Sequence, residues 1–331
     1  MKNIKKRQLK IGVGVLTLGL LISVLFFGWS FLKPALPMVS DAKISHPSER
    51  QKLDEGKPRR FRSTRHQFLE TISKSFNRQG LEDLNASASA QFTLKQLETI
   101  VDEVTEDKNL TPDQFIVVDL RQETHLFING YPISFFSTNF SHSWGNSTEL
   151  VKQEEDQQQK NLSQQPTASI HYVLEKGKNG SLGKTFKQDE GIHHVQTEEM
   201  VTHQLGVKYV RFAVSDHMRP SDDYVDQFIS FIKMLPDQAW LHFHCRGGIG
   251  RASVFMTMYD ILRNGKNLKK DEILNRQIVL GGKNFSHIKH EDKALISQAI
   301  ERENFIHKFY SYVQAADGFG VKTWSEWTAK N

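Results

Sequence analysis

The chain has 331 residues, 38% hydrophobic and 24% charged, the composition of an ordinary globular protein with room for one large or two smaller domains. Its formal charge of +5 resides in the first ten residues, where Lys2, Lys5, Lys6, Arg7 and Lys10 face no acid; the rest of the chain carries 38 charges of each sign. A general binder of the nucleic-acid backbone would keep its excess of cations in the folded part, so that class is excluded, and a single cysteine, Cys245, excludes an intrachain disulfide.

Residues 11–32 contain no charge and follow the basic tail of residues 1–10, long enough to span a bilayer. The apolar run is too long for a cleavable signal core, and residues 35–42 offer poor cleavage sites, so an uncleaved signal anchor is expected, with secretion after cleavage as the alternative. The positive-inside rule keeps the tail cytoplasmic and sends Lys33 onward to the far side of the membrane. Residues 33–56, with Pro34, Pro37 and Pro47, read as a linker. KPRRFRSTR (57–65) carries five basic residues and no acid. It is either a solvated basic face or the source of an arginine that reaches an anion site.

From Gln91 to Asp107 the apolar residues Leu94, Leu97, Ile100, Val101 and Val104 recur at helical spacing, and FIVVD (115–119) reads as a strand. HLFI and YPISFF flank Asn129-Gly130, the pattern of a tight hairpin. Residues 144–191 turn polar and Gln-rich and read as an insertion or appended subdomain. A helix over 197–204, a strand over 207–214, a helix over 222–234 and two more helices over 268–280 and 290–315 follow from the periodicity.

The strongest chemical signal is WLHFHCRGGIGRASVFMTMYD (240–260), where Cys245 and Arg251 stand in a Cys-x5-Arg pattern with glycines at 247, 248 and 250. WLHFH suits a buried strand, and apolar residues after Ala252 repeat at helical spacing, so the motif falls at a strand-to-helix turn. There the first N–H groups of the helix, and amides left open by residues lacking Cβ, can converge on one phosphate. A free thiol is mostly protonated at neutral pH, so those amides and the Arg251 guanidinium must favour the thiolate that serves as nucleophile. Arg251 is expected to bind two phosphate oxygens in a fork and to hold the charge that spreads during transfer.

Asp216 lies on the loop SDHMRPSDD at the exit of the preceding strand, at the same sheet edge as Cys245, and is the candidate general acid. The same carboxylate can then act as base on the water that hydrolyses a phosphocysteine. The plainer role of a helix N-cap suits Asp222 and Asp223 better. His244 is expected to order the cysteine loop through hydrogen bonds, and His217 to touch substrate or support the acid loop. His193, His194, His242 and His244 have no convincing ligand spacing, so neither a metal nor another cofactor is expected.

These residues resemble the protein-tyrosine-phosphatase-like inositol polyphosphatases, or cysteine phytases, of bacteria. The likeness is carried by YVRFAVSDHMRPSDDYVDQFISFIKMLPDQAWLHFHCRGGIGRASVFMTMYDIL, by VDLRQETHLFINGYPISFF, by RRFRST around residue 62 and by YSYVQAADGFGVKTWSEW, and it extends from Lys57 to Trp327. The resemblance implies an α/β fold in residues 57–331, behind the N-terminal transmembrane helix. A tyrosine-phosphatase-like core sheet would be flanked by helices and joined by a smaller β-rich subdomain. It also implies stepwise removal of phosphate from phytate or another inositol polyphosphate through a phosphocysteine, without a metal.

Residue by residue, Cys245, Arg251 and Asp216 match the family's nucleophile, phosphate-binding arginine and general acid. Gly247, Gly248, Ile249 and Gly250 match its phosphate cradle. Arg62 and His217 fall where the family contacts substrate, and a lysine after Gly282 (Lys283, Lys289 or Lys293) should do likewise. Two departures stand out. Arg246 occupies a position that is usually acidic, where an extra cation at the rim favours a highly phosphorylated substrate or changes which phosphate enters first. Ala252 replaces a hydroxyl residue that helps the thiolate leave, and Ser253 comes one place late. Rival readings are a protein tyrosine or dual-specificity phosphatase, which needs a deep pocket rather than a wide basic rim, and a weakly active module that binds inositol phosphates or phosphoinositides. The intact Cys245, Arg251 and Asp216 argue against the latter.

Overall fold

The computed structural model describes residues 37–41, 54–67, 76–108, 110–136, 146–175, 182–236, 238–288, 293–315 and 322–331. The expected membrane segment, 11–32, lies outside them, and among the described residues no helix is long and apolar enough to cross a membrane.

Two sheets with helices packed on them make a mixed α/β fold. The first elements are β1 (Met38–Ser40), β2 (Arg62–Ser63), β3 (Ala86–Ala90), α1 (Leu94–Lys108), β4 (Phe115–Asp119), β5 (His125–Ile128) and β6 (Tyr131–Phe135). Next come α2 (Thr148–Ser163), β7 (Thr167–Val173), β8 (Thr185–Gly191), β9 (Val195–Gln196), α3 (Glu198–Gln204), β10 (Lys208–Arg211) and α4 (Asp222–Lys233). The last are β11 (Trp240–Cys245), α5 (Arg251–Asn264), α6 (Lys270–Val279), α7 (Lys293–Ala315) and α8 (Trp324–Thr328).

The five-stranded sheet runs β10-β4-β11-β3-β2, parallel except for the edge strand β2. All six residues of β11 are buried, because helices cover both faces of a central parallel strand; hence its unbroken apolar and aromatic run. In the register, Cys245 pairs with Ala90, His244 with Asp119, and Asp119 with Arg211. Four parallel strands therefore end at one level, where open α/β sheets present ligands. On one face Phe212, Phe228, Phe243 and Phe255 join a single core with α4, α5 and α7. On the other, α1 and α3 bring Leu97, Ile100 and Val201 against Phe92, Phe115 and Trp240. Every residue of α5 from Arg251 to Ile261 is buried, so this helix, which carries the loop arginine, is held on all sides.

The six-stranded sheet runs β8-β7-β1-β6-β5-β9. Asn129 and Gly130 turn the β5–β6 hairpin with φ of 53° and 81°, as Asn-Gly leads one to expect. One expectation changes here. Residues 38–40, inside the stretch read as a linker, form β1, antiparallel to β6 and parallel to β7. A strand of three residues is too short to show alternation in the sequence. Residues 144–191, read as an insertion or appended subdomain, supply α2, β7 and β8, and β7 pairs directly with β1. Ala168, Ile170 and Tyr172 face the core that holds Leu126 and Ile133, while alternate residues of β7 face outward, which accounts for the polar composition.

Candidate active site

Cys245 ends β11 and Arg251 begins α5, so residues 246–250 form the strand-to-helix loop the sequence called for. Cys245 is 2% exposed, and the Gly248 N–H donates to its Sγ at 3.2 Å. Gly248 has φ 72°, and a Cβ there would overlap the backbone of Ser89 and Ala90, so β3 passes this close only because the residue is glycine. Arg62 lies beneath the loop: it is 2% exposed and donates to the Gly248 carbonyl at 2.8 Å and to Ser253 Oγ at 3.1 Å. Burial, opposed by the pull of Cys245, pushes its guanidinium down to about 10. Arg60 donates to the Gly247 carbonyl at 2.6 Å, and the Lys283 amide donates to Ser253 Oγ at 2.9 Å. The basic run 57–65 thus reaches the loop with two of its arginines.

Arg251 is gripped by a residue that the sequence did not single out. Its two terminal nitrogens donate to Glu123 Oε2 and Oε1 at 2.6 and 2.8 Å, and Nη1 also reaches the Val214 carbonyl at 2.9 Å. Nη2 lies 3.3 Å from Asp216 Oδ1, which brings the Asp216 loop to the cysteine loop. Arg251 Nε has no hydrogen-bond partner among the described residues. Burial disfavours the Arg251 charge, but Glu123 and Asp216 outweigh it and fix the cation; burial likewise disfavours the Glu123 carboxylate, and Arg251 and Arg121 hold it well below the usual range. The signal for Glu123 was its place in VDLRQE, four residues past the end of β4 at the shared sheet edge. Asp216 is 47% exposed; the His217 N–H donates to its Oδ1 at 3.0 Å, and His217 itself takes φ 65°. Ser221, not Asp222 or Asp223, caps α4 by accepting from the Tyr224 N–H.

Behind the loop lies a buried ion-pair network between the two sheets. His244 Nε2 is 2.6 Å from Glu198 Oε1, and the other Glu198 oxygen accepts from Gln91 Nε2 at 2.8 Å and faces His125 Nε2 at 3.0 Å. Asp119, His125 and Glu198 lie close enough to one another to hold a metal ion. Their positions are already engaged: Arg211 is 3.1 Å from Asp119, and Tyr209 donates to it at 2.8 Å. Burial and Arg121 push the His125 imidazole down, yet Glu155 and Asp119 outweigh them and lift it to about 10. A protonated imidazole has no lone pair for a metal. His242 differs: burial, and then His244, push it down to about 3, and it sits neutral between Ser87 and Ser89 at 2.8 and 3.0 Å. His193 and His194 present their amides to Asn129 Oδ1, and among the described residues the four histidines weighed from sequence do not gather.

Cations flank the loop. Arg246 donates through Nε to the buried Asp41 at 2.8 Å. Arg302, 5% exposed, has no hydrogen bond or ion pair among the described residues, and a Cβ on Gly250 would meet its Nη1 at 3.7 Å. Burial lowers the Arg302 pKa, with Asp216 opposing and Arg251 adding. The half-buried Lys283 amine is pushed down by burial and by Arg302. Arg302 was legible only as an arginine on the buried stripe Arg302, Phe305, Ile306, Phe309 of α7. Lys289 and the Lys293 side chain lie outside the described residues.

The profile of the protein-tyrosine-phosphatase-like phytase family, described by inositol hexakisphosphate, matches residues 118–263, a span that holds Glu123, Asp216 and the whole Cys245–Arg251 loop. The protein-tyrosine-phosphatase-like myo-inositol phosphatase from Mitsuokella multacida, solved in complex with myo-inositol-(1,3,4,5)-tetrakisphosphate, is similar with a TM-score of 0.76 and 32% identity over 90% of this chain and 48% of that one. A protein-tyrosine-phosphatase-like phytase from Bdellovibrio bacteriovorus is similar with a TM-score of 0.64 and 27% identity, covering 90% of this chain and 95% of that one. The effector protein hopD2 of Pseudomonas syringae pv. tomato is 28% identical over 222 residues, 65% of this chain and 46% of that protein. The chain spans about half the length of the Mitsuokella and Pseudomonas proteins. Over residues 118–263 the chain matches the protein-tyrosine-phosphatase-like phytase family, and its fold is similar to those of the Mitsuokella and Bdellovibrio proteins.

Proposed function

We propose that the chain is a cysteine-dependent phosphomonoesterase that removes phosphate from inositol polyphosphates such as phytate. The observation that carries this reading is Arg251, whose terminal nitrogens are fixed by Glu123 while Nε, free among the described residues, remains for an oxyanion next to Cys245. In the first step the Cys245 thiolate attacks phosphorus, the S–P bond forms and the bond from phosphorus to the ring oxygen breaks. Asp216 gives its proton to that oxygen as it leaves. In the second step water attacks the phosphocysteine, its proton passes to Asp216, and the S–P bond breaks to return the thiolate. Arg251 and the loop amides hold the charge on the equatorial oxygens in both steps.

Arg60, Arg246, Lys283 and Arg302 flank the loop with His217, a wide cationic rim that suits several phosphates on one ring better than a single phosphotyrosine. The test is phosphate release from phytate by the full chain, beside Cys245→Ser and a phosphotyrosine peptide. The reading requires fast release from phytate that Cys245→Ser abolishes. Turnover of the peptide without release from phytate would overturn it in favour of a protein phosphatase. We further propose that residues 11–32 anchor the chain in a membrane with this domain on the extracytoplasmic side. A reporter fused after Asn331 and active only in the cytoplasm would overturn that placement.

A further inference from the structure

Asp216 stands on a loop, and a loop carboxylate protonates a leaving group only if something holds it in place. Among the residues of that loop, Arg219 makes the most contacts to fixed elements. Its Nε donates to Glu301 Oε1 on α7 at 3.1 Å, and its Nη1 donates to Asp222 Oδ1 in the first turn of α4 at 2.7 Å and to the Pro220 carbonyl at 2.8 Å. The guanidinium carbon lies 5.6 Å from the centroid of Phe305, also on α7. Two of these partners are anchored in turn. Phe305 is 4% exposed and packs edge-on against Trp324, and Asp222 takes a second hydrogen bond from Trp324 Nε1 at 2.8 Å. Arg219 is thus clamped between two helices and the aromatic core behind them, three residues from Asp216. Glu301 and Arg302 are neighbours on α7, so one helix brings an anion to the acid loop and a cation to the cysteine loop.

We propose that Arg219 is the positioning residue for Asp216: by gripping Glu301, Asp222 and the face of Phe305, it holds the acid loop over Cys245 at the 3.3 Å separation seen between Asp216 and Arg251. Planar stacking and a two-sided donor fork require arginine, since a lysine offers a point charge without the plane. The role rests on the reading of Asp216 as general acid. It predicts a defect that depends on the leaving group. An inositol oxygen leaves as a strongly basic alkoxide and needs the proton; p-nitrophenolate is a weak base and needs it little.

The experiment measures kcat/KM of the full chain, which reports the step in which the leaving group departs, on phytate and on p-nitrophenyl phosphate for the wild type, Arg219→Ala, Glu301→Gln, Asp216→Asn and Asp216→Asn/Arg219→Ala, with Tm for each. Arg219→Ala is expected to lower kcat/KM on phytate at least tenfold more than kcat/KM on p-nitrophenyl phosphate. Glu301→Gln, a change at a half-exposed side chain, should act in the same direction by a smaller factor without loss of Tm. Adding Arg219→Ala to Asp216→Asn should change neither rate further, because a positioning residue has nothing left to position. Equal losses on both substrates, or losses that add to those of Asp216→Asn, would overturn the proposal and leave Arg219 a structural residue. A leaving-group-dependent loss in Arg219→Ala without one in Asp216→Asn would overturn the assignment of the acid. A wild type inactive on both substrates would overturn the phosphatase reading itself.

Discussion

Arg246, the residue after the cysteine, is tied through its Nε to Asp41, the residue after β1, at 2.8 Å. Asp41 is wholly buried and also takes the Arg121 guanidinium at 2.9 Å and the Ser134 hydroxyl. Burial alone would raise its pKa; Arg121 and Arg246 outweigh it, so the carboxyl titrates below its ordinary value. The ion pair therefore adds stability above the unfolded pKa near about 4, and that stability is lost as the pH falls through the folded value. Removing one partner of a buried pair costs about 3–5 kcal/mol, and Asn, which keeps one acceptor, should fall at or below the lower end. Asp41→Asn is expected to lower Tm at neutral pH and to narrow that gap as the solution is acidified. A pH-independent difference in Tm would mean that the charge of Asp41 contributes nothing. Deleting residues 1–41 removes β1 together with this anchor and should lower activity as well as stability.

Glu123 acts on Arg251 in the same way, one step nearer the chemistry. With Gln in its place the shape is nearly kept, but one of the two charge-assisted bonds is lost and Arg251 gains freedom to swing. A hydrogen bond to a charged group contributes about 1.5–3 kcal/mol, so Glu123→Gln should lower kcat/KM on phytate roughly ten- to a hundredfold. Circular dichroism should remain that of the wild type. A kcat/KM within about twofold of wild type would show that Arg251 is positioned without Glu123, by Asp216 and by the Leu120 and Val214 carbonyls at 3.3 and 2.9 Å.

What was legible in the sequence follows from how local each feature is. The cysteine loop could be read because strand, glycines and helix are contiguous, and Asn129-Gly130 because a hairpin turn needs its two residues and nothing else. Glu123, Arg302 and Asp41 could not, because each matters only through a partner more than 50 residues away in the chain. β1 escaped for a related reason: its three residues form a strand only because β6 and β7 supply hydrogen bonds on both sides. Arg62 was legible as a site residue through the family resemblance, but its depth beneath the loop was not, since an arginine in a basic run gives no sign of being 2% exposed.

His125 makes the buried network a pH-dependent part of the fold. Its imidazole is lifted to about 10 when folded, against about 6.5 when unfolded. The stabilisation is fully present below the unfolded value and is lost as the pH rises toward the folded one. In that window the folded state binds the extra proton, so unfolding free energy should fall by about 1.4 kcal/mol per pH unit from this group. Urea unfolding between about pH 7 and pH 9 should show that slope, and His125→Gln, less stable at neutral pH, should lack it. Parallel curves for the two proteins would mean that His125 is neutral in the fold. The metal reading of Asp119, His125 and Glu198 would then regain its ground.

In the proposed mechanism, Ala252 bears on the second half of the reaction. It is fully buried at the start of α5, and among the described residues the donor to Cys245 Sγ is the Gly248 N–H. Ser253, one place on, does not substitute: its Oγ lies against Arg62 at 3.1 Å and the Lys283 amide at 2.9 Å, and among the described residues no hydrogen bond joins it to Cys245 Sγ. A thiolate leaving the phosphocysteine thus lacks a hydroxyl donor, a hydrogen bond to a charged group that contributes about 1.5–3 kcal/mol, enough to slow the step roughly ten- to a hundredfold. Breakdown of the phosphocysteine should then limit turnover, and p-nitrophenyl phosphate should release a burst of p-nitrophenol equal to the enzyme concentration before a slower steady rate. Ala252→Ser restores a hydroxyl with the least added volume, and Ala252→Thr adds a methyl group that the packed site must absorb. The serine variant is expected to turn over faster and to show a smaller burst, with the rate of the burst phase itself unchanged because the first step does not use the new hydroxyl. A wild type without a burst would place the slow step earlier, at attack on phosphorus or at closure of the acid loop, and Ala252 would then be silent in turnover.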